Sequence, residues 1–236
     1  MLRRRFLTLP LIVLAGCASE GTRPQHSDGS FKPGQLAKGD IDRVVEAHQR
    51  EVFQNLRVLA EKLYRRNPRE WRKGGDETID AALARIFTVD HQWKFAALEG
   101  RRGTQAIQLA FRDEYQGDRV LAFIGGMGSM IQTAFRDKTE FFILDDLDGQ
   151  ALYNAARNVE IAVWKLSNGK TPSGELYLVS NEASGPVVNL SFEREFGKVI
   201  ASLDILSKIV SDKQNRAVSK VIQSLATAVF LPIPIR

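Results

Sequence analysis

The fold is decided by the stretch DIDRVVEAHQREVFQNLRVLAEKLYRR, which spans residues 40–66. Within it, apolar side chains and one histidine recur at spacings of three and four, the period of one face of an α-helix. This stripe consists of Ile41, Val45, His48, Val52, Leu56, Leu59 and Leu63. Asp40 is of a type that favours the N-cap position. The stretch therefore predicts a long amphipathic helix that packs one face against a core.

Helical periodicity continues along most of the chain on either side of its centre. Pro68 is expected either to end the first helix or to begin the next turn. Further helices are expected over residues 78–87, 104–115, 150–166 and 199–225. Two β-prone runs, 176–180 and 187–192, predict one small hairpin. We therefore expect a mainly α protein, a single helical domain over residues 39–236 with one small β-hairpin, closed by an extended tail at 231–236.

Residues 120–135, VLAFIGGMGSMIQTAF, carry no charge and allow three interpretations. The favoured one is a central core helix whose glycines let a neighbouring helix approach closely. The second is a Gly-rich turn that binds an anion or presents Ser129 as a nucleophile. The third is a helix in contact with a membrane, although the run is at or below the length that spans a bilayer.

The sequence contains no evident catalytic or metal-binding set. Residues 145–149, DDLDG, do not match a calcium loop and are expected to cap the helix that follows. The alternative is a cation site completed by residues from elsewhere in the chain. His26, His48 and His91 are isolated, so no metal and no cofactor is expected. The enzymatic alternative is a hydrolase that uses Ser129, with His48 or His91 as base and an acid from 145–148. A carrier of an apolar ligand is another alternative.

A basic stretch follows the first helix. It comprises Arg65, Arg66, Arg69, Arg72 and Lys73 around Trp71, with Glu70 as the acid among them. Such a cluster suits an anionic membrane surface or an acidic partner. The alternative is a solvated helix end, where basic side chains complement the helix dipole. We refer to these five basic residues and Trp71 as the basic patch.

The N-terminus has the pattern of an export signal. Arg3 to Arg5 precede an apolar segment, residues 6–14, and the chain's one cysteine, Cys17, follows Leu14-Ala15-Gly16. This Leu-Ala-Gly-Cys run resembles the lipobox of bacterial lipoproteins. The resemblance implies that residues 1–16 are a signal peptide, that the chain is cut before Cys17, and that Cys17 is lipidated. Residues 18–38 are rich in Gly, Ser and Pro, so 17–38 is expected to be the lipidated cysteine and a flexible linker.

Composition limits the partners once the export signal is set aside. The chain holds 33 basic and 28 acidic residues, but three of the arginines lie in the signal peptide, which leaves a balance of +2. We therefore exclude nucleic acid as a partner. In lipoproteins of enteric bacteria, an Asp directly after the lipidated cysteine resembles an inner-membrane retention signal. The resemblance to lipoproteins therefore implies that Ala18 at this position favours the outer membrane. The expected function is that of a periplasm-facing lipoprotein, a non-enzymatic accessory, scaffold or binding protein that contacts the membrane, an envelope protein or an anionic lipid.

Overall fold

The computed structural model describes residues 39–142, 147–182, 188–214, 218–219 and 228–234. The predicted signal peptide, Cys17 and the linker lie outside the described residues. So do Asp145 and Asp146 of the acidic loop, most of residues 215–225 and the last two residues of the tail. All described residues belong to one unit.

Seven α-helices make up most of the described part of the chain, which confirms the prediction of a mainly α fold. They are α1 (Asp40–Arg66), α2 (Pro68–Lys73), α3 (Ile79–Phe87), α4 (Gly103–Leu109), α5 (Arg119–Ala134), α6 (Gly149–Asn168) and α7 (Ser191–Lys213). A single 3-10 turn, Ala96–Leu98, lies between α3 and α4. The predicted helix over 104–115 is shorter than expected, because it begins at Gly103 and ends at Leu109.

Helix α1 forms as its apolar period predicts, with two corrections. Its N-cap is Gly39 rather than Asp40, and Asp42 Oδ2 accepts a hydrogen bond from the Gly39 amide at 2.9 Å. Ile41, at the start of the predicted stripe, is 37% exposed, although Asp42 beside it is buried. From Val45 onward the apolar stripe is buried, while His48 is only half-buried.

Helix α5 is the central element of the core, as the favoured interpretation of residues 120–135 predicted. Nearly all of its residues are buried, and it packs against α1, α4 and α6. Gly126 allows the close approach to α4, since a β-carbon there would lie 2.6 Å from the backbone nitrogen of Ile107. Among the described residues, no helix is both long and apolar enough to span a bilayer.

The N-terminus of α5 is held by a buried polar network. Asp118 is the N-cap, and its Oδ1 accepts from the Leu121 amide at 2.9 Å. Its Oδ2 accepts from the Tyr64 hydroxyl at 2.7 Å and from Arg85 Nη2 at 3.1 Å. The Glu70 carboxylate adds a further anion at this helix end by accepting from the Arg119 amide at 2.7 Å. Four elements, α1, α2, α3 and α5, are therefore joined through one set of carboxylates.

Helices α6 and α7 form a closely packed pair that also contacts α1 through α7. The apolar stripe predicted from Val199 to Val210 is buried in this contact. This face of α7 therefore packs against other helices of the same chain. The extended C-terminal tail lies along α6. Asn158, which is fully buried, accepts from the Leu231 amide at 2.6 Å and donates to the Leu231 carbonyl at 2.8 Å.

Asn158→Ala is expected to loosen the tail at Leu231. Both bonds to Leu231 come from one side chain, and their loss together is worth about 1.5 kcal/mol or more. Amide hydrogen exchange at Leu231 should therefore accelerate about tenfold or more, while the core of α5 keeps its protection. Asn168→Ala, at the exposed end of the same helix, is the control and should leave Leu231 unchanged. Unaltered exchange at Leu231 in Asn158→Ala would show that Asn158 does not hold the tail against α6.

The predicted β-hairpin over 176–192 is not present among the described residues. They contain two isolated antiparallel bridges instead, Lys170 with Leu176 and Glu182 with Asn189. The alternation of Val188, Leu190 and Phe192 that suggested a strand has another cause: Phe192 belongs to α7 and is buried, while the other two side chains are exposed.

Candidate functional site

A two-lobed cleft opens beside Trp93, between the loop after α3, the end of α5 and the middle of α1. The first lobe has a volume of about 460 Å³ and is the more polar. The second has a volume of about 470 Å³ and lies against α1. Phe87, Trp93, Gln132 and Thr139 line both lobes. We call this feature the Trp93 cleft; each lobe falls in the range of ~300–1,000 Å³ typical of small-ligand sites.

The loop that carries Trp93 adopts an unusual backbone. Gln92 and Trp93 both have left-handed conformations, with φ of 50° and 57°. His91 stabilises this turn, because its Nδ1 accepts from the Trp93 amide at 2.9 Å and its Nε2 lies 2.9 Å from the Ile86 carbonyl. These partners assign His91 as the Nε2–H tautomer. Consecutive left-handed residues other than glycine cost free energy, and such strain clusters at binding sites.

Trp93 is surrounded by aromatic rings and rests on a glycine. Its ring stacks on Phe53 of α1 with centroids 5.3 Å apart, and meets Phe87 edge-on at 5.9 Å. The indole also lies directly over Gly128 of α5, where a β-carbon would overlap the ring. The small residues of α5 therefore serve two contacts, one with α4 and one with Trp93.

Gly128→Ala is expected to displace the Trp93 indole from α5. The added methyl group overlaps the ring, and such overpacking typically costs ~1–3 kcal/mol. In a chain whose other tryptophans are replaced, Trp71→Phe and Trp164→Phe, the fluorescence of Trp93 should shift to longer wavelength as the ring becomes more exposed. An emission maximum identical to that of the parent would show that Trp93 does not rest on Gly128.

A second left-handed turn also borders the cleft, through Asp137. Arg136 and Asp137 have φ of 58° and 55°. Asp137 accepts from Arg102 Nη2 at 2.9 Å, while Arg102 Nε is buried without a hydrogen-bond partner. Lys138, which follows this turn, is fixed by two buried side-chain amides. Gln49 Nε2 and Gln132 Nε2 donate to its carbonyl at 2.7 and 2.9 Å. Both walls of the cleft are thus held by specific polar contacts.

The described residues of the hydrolase alternative are not arranged for catalysis. Ser129 is 1% exposed in the middle of α5, where its hydroxyl accepts from the Gly103 amide at 2.8 Å and donates to the Gly126 carbonyl at 3.0 Å. Both ring nitrogens of His91 are engaged with backbone groups. Asp148 caps α6 by accepting from the Gln150 amide at 2.8 Å, as predicted. Ser129 is therefore a helix-packing residue rather than an accessible nucleophile.

The basic patch lies at the end of α1 and on α2, and acids offset much of its charge. Arg65 pairs with Glu61 at 2.7 Å, Arg66 with Glu182 at 3.2 Å and Lys73 with Glu70 at 2.7 Å. Trp71 is half-buried against the core and is covered by Arg72, whose guanidinium lies 4.3 Å from the ring centroid. The patch therefore presents less free charge, and less of its tryptophan, than its sequence indicates.

Weak, salt-sensitive binding of the basic patch to anionic vesicles stays a prediction. Only a small excess of cations remains after pairing, and each contributes about 1 kcal/mol near an anionic surface. Replacing Arg65, Arg66, Arg69 and Arg72 with Ser should abolish sedimentation with phosphatidylglycerol vesicles at low salt. Equal binding to neutral phosphatidylcholine vesicles would show that the patch is only a solvated helix end.

Comparisons with known proteins supply no relative for this chain. No family model, no curated protein and no solved structure matches it. Among the described residues, no group of three or more His, Cys, Asp and Glu is placed to hold a metal ion. The geometry of the Trp93 cleft is accordingly the main evidence for a functional site. Sequence reasoning missed this cleft, because its walls come from four separate segments and carry no local motif.

Proposed function

We propose that the protein is a lipid-anchored, non-enzymatic binding protein of the bacterial cell envelope, and that the Trp93 cleft is its ligand site. The observation that carries the proposal is the cleft itself, with an aromatic wall between two backbone turns in left-handed conformations. Strained turns that are fixed by specific hydrogen bonds indicate a surface built for recognition rather than for packing alone.

The anchor follows from the resemblance of residues 14–17 to a lipobox. A single acyl chain gives only marginal membrane binding, and stable attachment needs at least two. The lipoprotein pathway attaches several chains to one cysteine, so Cys17 alone suffices as an anchor. Residues 18–38 then act as a tether, and the domain faces the periplasm, at the outer membrane in the favoured case.

The competing functions have weaker support. A hydrolase needs an accessible nucleophile, and Ser129 is buried and fully engaged. A carrier of an apolar ligand needs a deep apolar cavity, whereas the two large clefts among the described residues are open and lined by charged and amide side chains as well as aromatic ones. A scaffold that binds an envelope protein is a form of the same proposal, in which a segment of that protein occupies the Trp93 cleft.

The anchor and the site are tested separately. Metabolic labelling with palmitate should mark the wild-type chain, while Cys17→Ala should remain an unlabelled precursor. For the site, nuclear magnetic resonance of the Cys17→Ala chain with a set of small polar and aromatic compounds should give shift changes that cluster on residues 86–94, Gln132 and Thr139. Labelling that persists in Cys17→Ala would refute the anchor, and shift changes scattered away from the cleft would refute the site.

A further inference from the structure

The Trp93 cleft presents an unusual pair of hydrogen-bond acceptors. Gln49 and Gln132 are 4% and 6% exposed, and each commits its Nε2 to the Lys138 carbonyl. Among the described residues no hydrogen bond to the Oε1 atom of either amide is present, and both side chains line the second lobe. Because the amides are fixed by burial, these oxygens are preorganised acceptors, and a complementary ligand must supply hydroxyl or N–H donors.

The same lobe combines these acceptors with an aromatic wall and with cations. Phe53, Phe87 and Trp93 form the apolar surface. Arg50 and Arg57 lie at its edge on α1, and this lobe has no acidic lining residue. Arg50 is held only loosely, 3.9 Å from Glu46, and its side chain is 71% exposed. A ligand therefore needs an apolar face, several hydroxyl donors and a negative charge.

We propose that the second lobe of the Trp93 cleft binds a carboxylate-bearing oligosaccharide. A pyranose ring has an apolar C–H face that packs on aromatic rings and a rim of hydroxyl groups that both donate and accept. Its carboxylate meets Arg50 and Arg57, for which a planar oxyanion is the preferred partner. A fatty acyl chain offers no donors to the two amides, and an acidic peptide lacks the ring face. The inference rests on the proposed binding function and names its ligand class.

The test compares three probes on the full chain carrying Cys17→Ala. Tetragalacturonate is an acidic sugar, cellotetraose a neutral sugar and tetraglutamate an acidic peptide. The three tryptophans give three indole N–H signals, so that Trp71 and Trp164 serve as internal references for Trp93. We expect tetragalacturonate to shift only the Trp93 signal, with a Kd at or below about 5 mM. Cellotetraose should bind more weakly at the same place, and tetraglutamate should leave the Trp93 signal unchanged.

Variants separate the aromatic contribution from the ionic one. Trp93→Ala, checked for folding by its thermal unfolding curve, should weaken tetragalacturonate binding at least about tenfold. Arg50→Gln with Arg57→Gln should remove the preference for tetragalacturonate over cellotetraose but leave cellotetraose binding unchanged. Arg65→Gln is the matched control, since Arg65 lies on the same helix outside the cleft and pairs with Glu61. It should keep the preference for the acidic sugar.

Each remaining outcome decides against the inference. Equal binding of tetraglutamate and tetragalacturonate would show recognition of charge alone, and no response of Trp93 to either sugar would exclude an oligosaccharide. In both cases the small-compound experiment on the cleft still stands as a separate test of the binding function. The failure of the ligand class and the failure of the site are thus distinguishable.

Discussion

Gly126→Ala should destabilise the protein by about 3 kcal/mol, at the upper end of the cost of overpacking a core. The new β-carbon would lie 2.6 Å from the Ile107 backbone nitrogen and 2.9 Å from the Gly103 carbonyl oxygen. Both obstacles are backbone atoms of α4, so no side-chain rotation relieves them and the two helices must separate. Urea unfolding followed by circular dichroism measures the loss.

The control exploits another helical glycine in the same chain. Gly197 in α7 is exposed, and a β-carbon there meets nothing within 4 Å. Alanine favours a helix interior over glycine by ~1 kcal/mol, so Gly197→Ala should stabilise the protein by about that amount. The two identical substitutions should therefore have opposite signs. A neutral or stabilising Gly126→Ala would mean that α4 and α5 are not in backbone contact.

The helices could be predicted from the sequence because their signals are local. The period of three and four in α1, α6 and α7 reports directly which face is buried, and Asp148 caps α6 as the acidic loop before that helix predicts. The glycines of residues 120–135 correctly indicated close approach. The predicted hairpin is not shown among the described residues. Short β-prone runs are ambiguous, since Phe192 is buried equally well by a helix.

The Trp93 cleft could not be predicted in the same way. Its walls come from α1, the loop after α3, the end of α5 and the turn beyond it, so tertiary packing rather than sequence spacing brings them together. The left-handed residues at 92–93 and 136–137 are not glycine or asparagine, and hence carry no turn signature. Gly128 is a sequence feature that the cleft requires, since it provides the space that Trp93 occupies.

For the same reason, the sequence overstated the charge of the basic patch. Within the sequence only Glu70 stood among its cations, yet Glu182, more than a hundred residues away, pairs with Arg66. Glu70 itself is buried and binds the N-terminus of α5. Charge counted along the chain therefore overestimated the charge that this surface presents to a membrane.

Asp118→Ala should cost about 3 kcal/mol or more. The substitution removes the N-cap of α5, which is worth ~1 kcal/mol, and leaves the buried Tyr64 hydroxyl without its acceptor, at a further ~1–3 kcal/mol. Arg85 retains Asp76, its partner at 2.7 Å, which limits the loss at the guanidinium. Thermal and urea unfolding at neutral pH measure the change. A loss below about 1 kcal/mol would show that the network is dispensable.

The pH dependence separates the charge of Asp118 from its hydrogen bonds. Burial raises the pKa of Asp118 above its ordinary value, although the Leu121 amide, Tyr64 and Arg85 act in the opposite direction. The folded state therefore binds the Asp118 proton more tightly than the unfolded state, and the resulting stability is lost as the pH rises from about 4 through the folded pKa. In Asp118→Asn that contribution is absent. The stability of the wild type relative to Asp118→Asn should consequently be greatest near pH 4 and decline as the pH rises. A constant difference across this range would mean that Asp118 keeps an ordinary pKa, and an increasing difference would mean that the carboxylate's hydrogen bonds outweigh its burial.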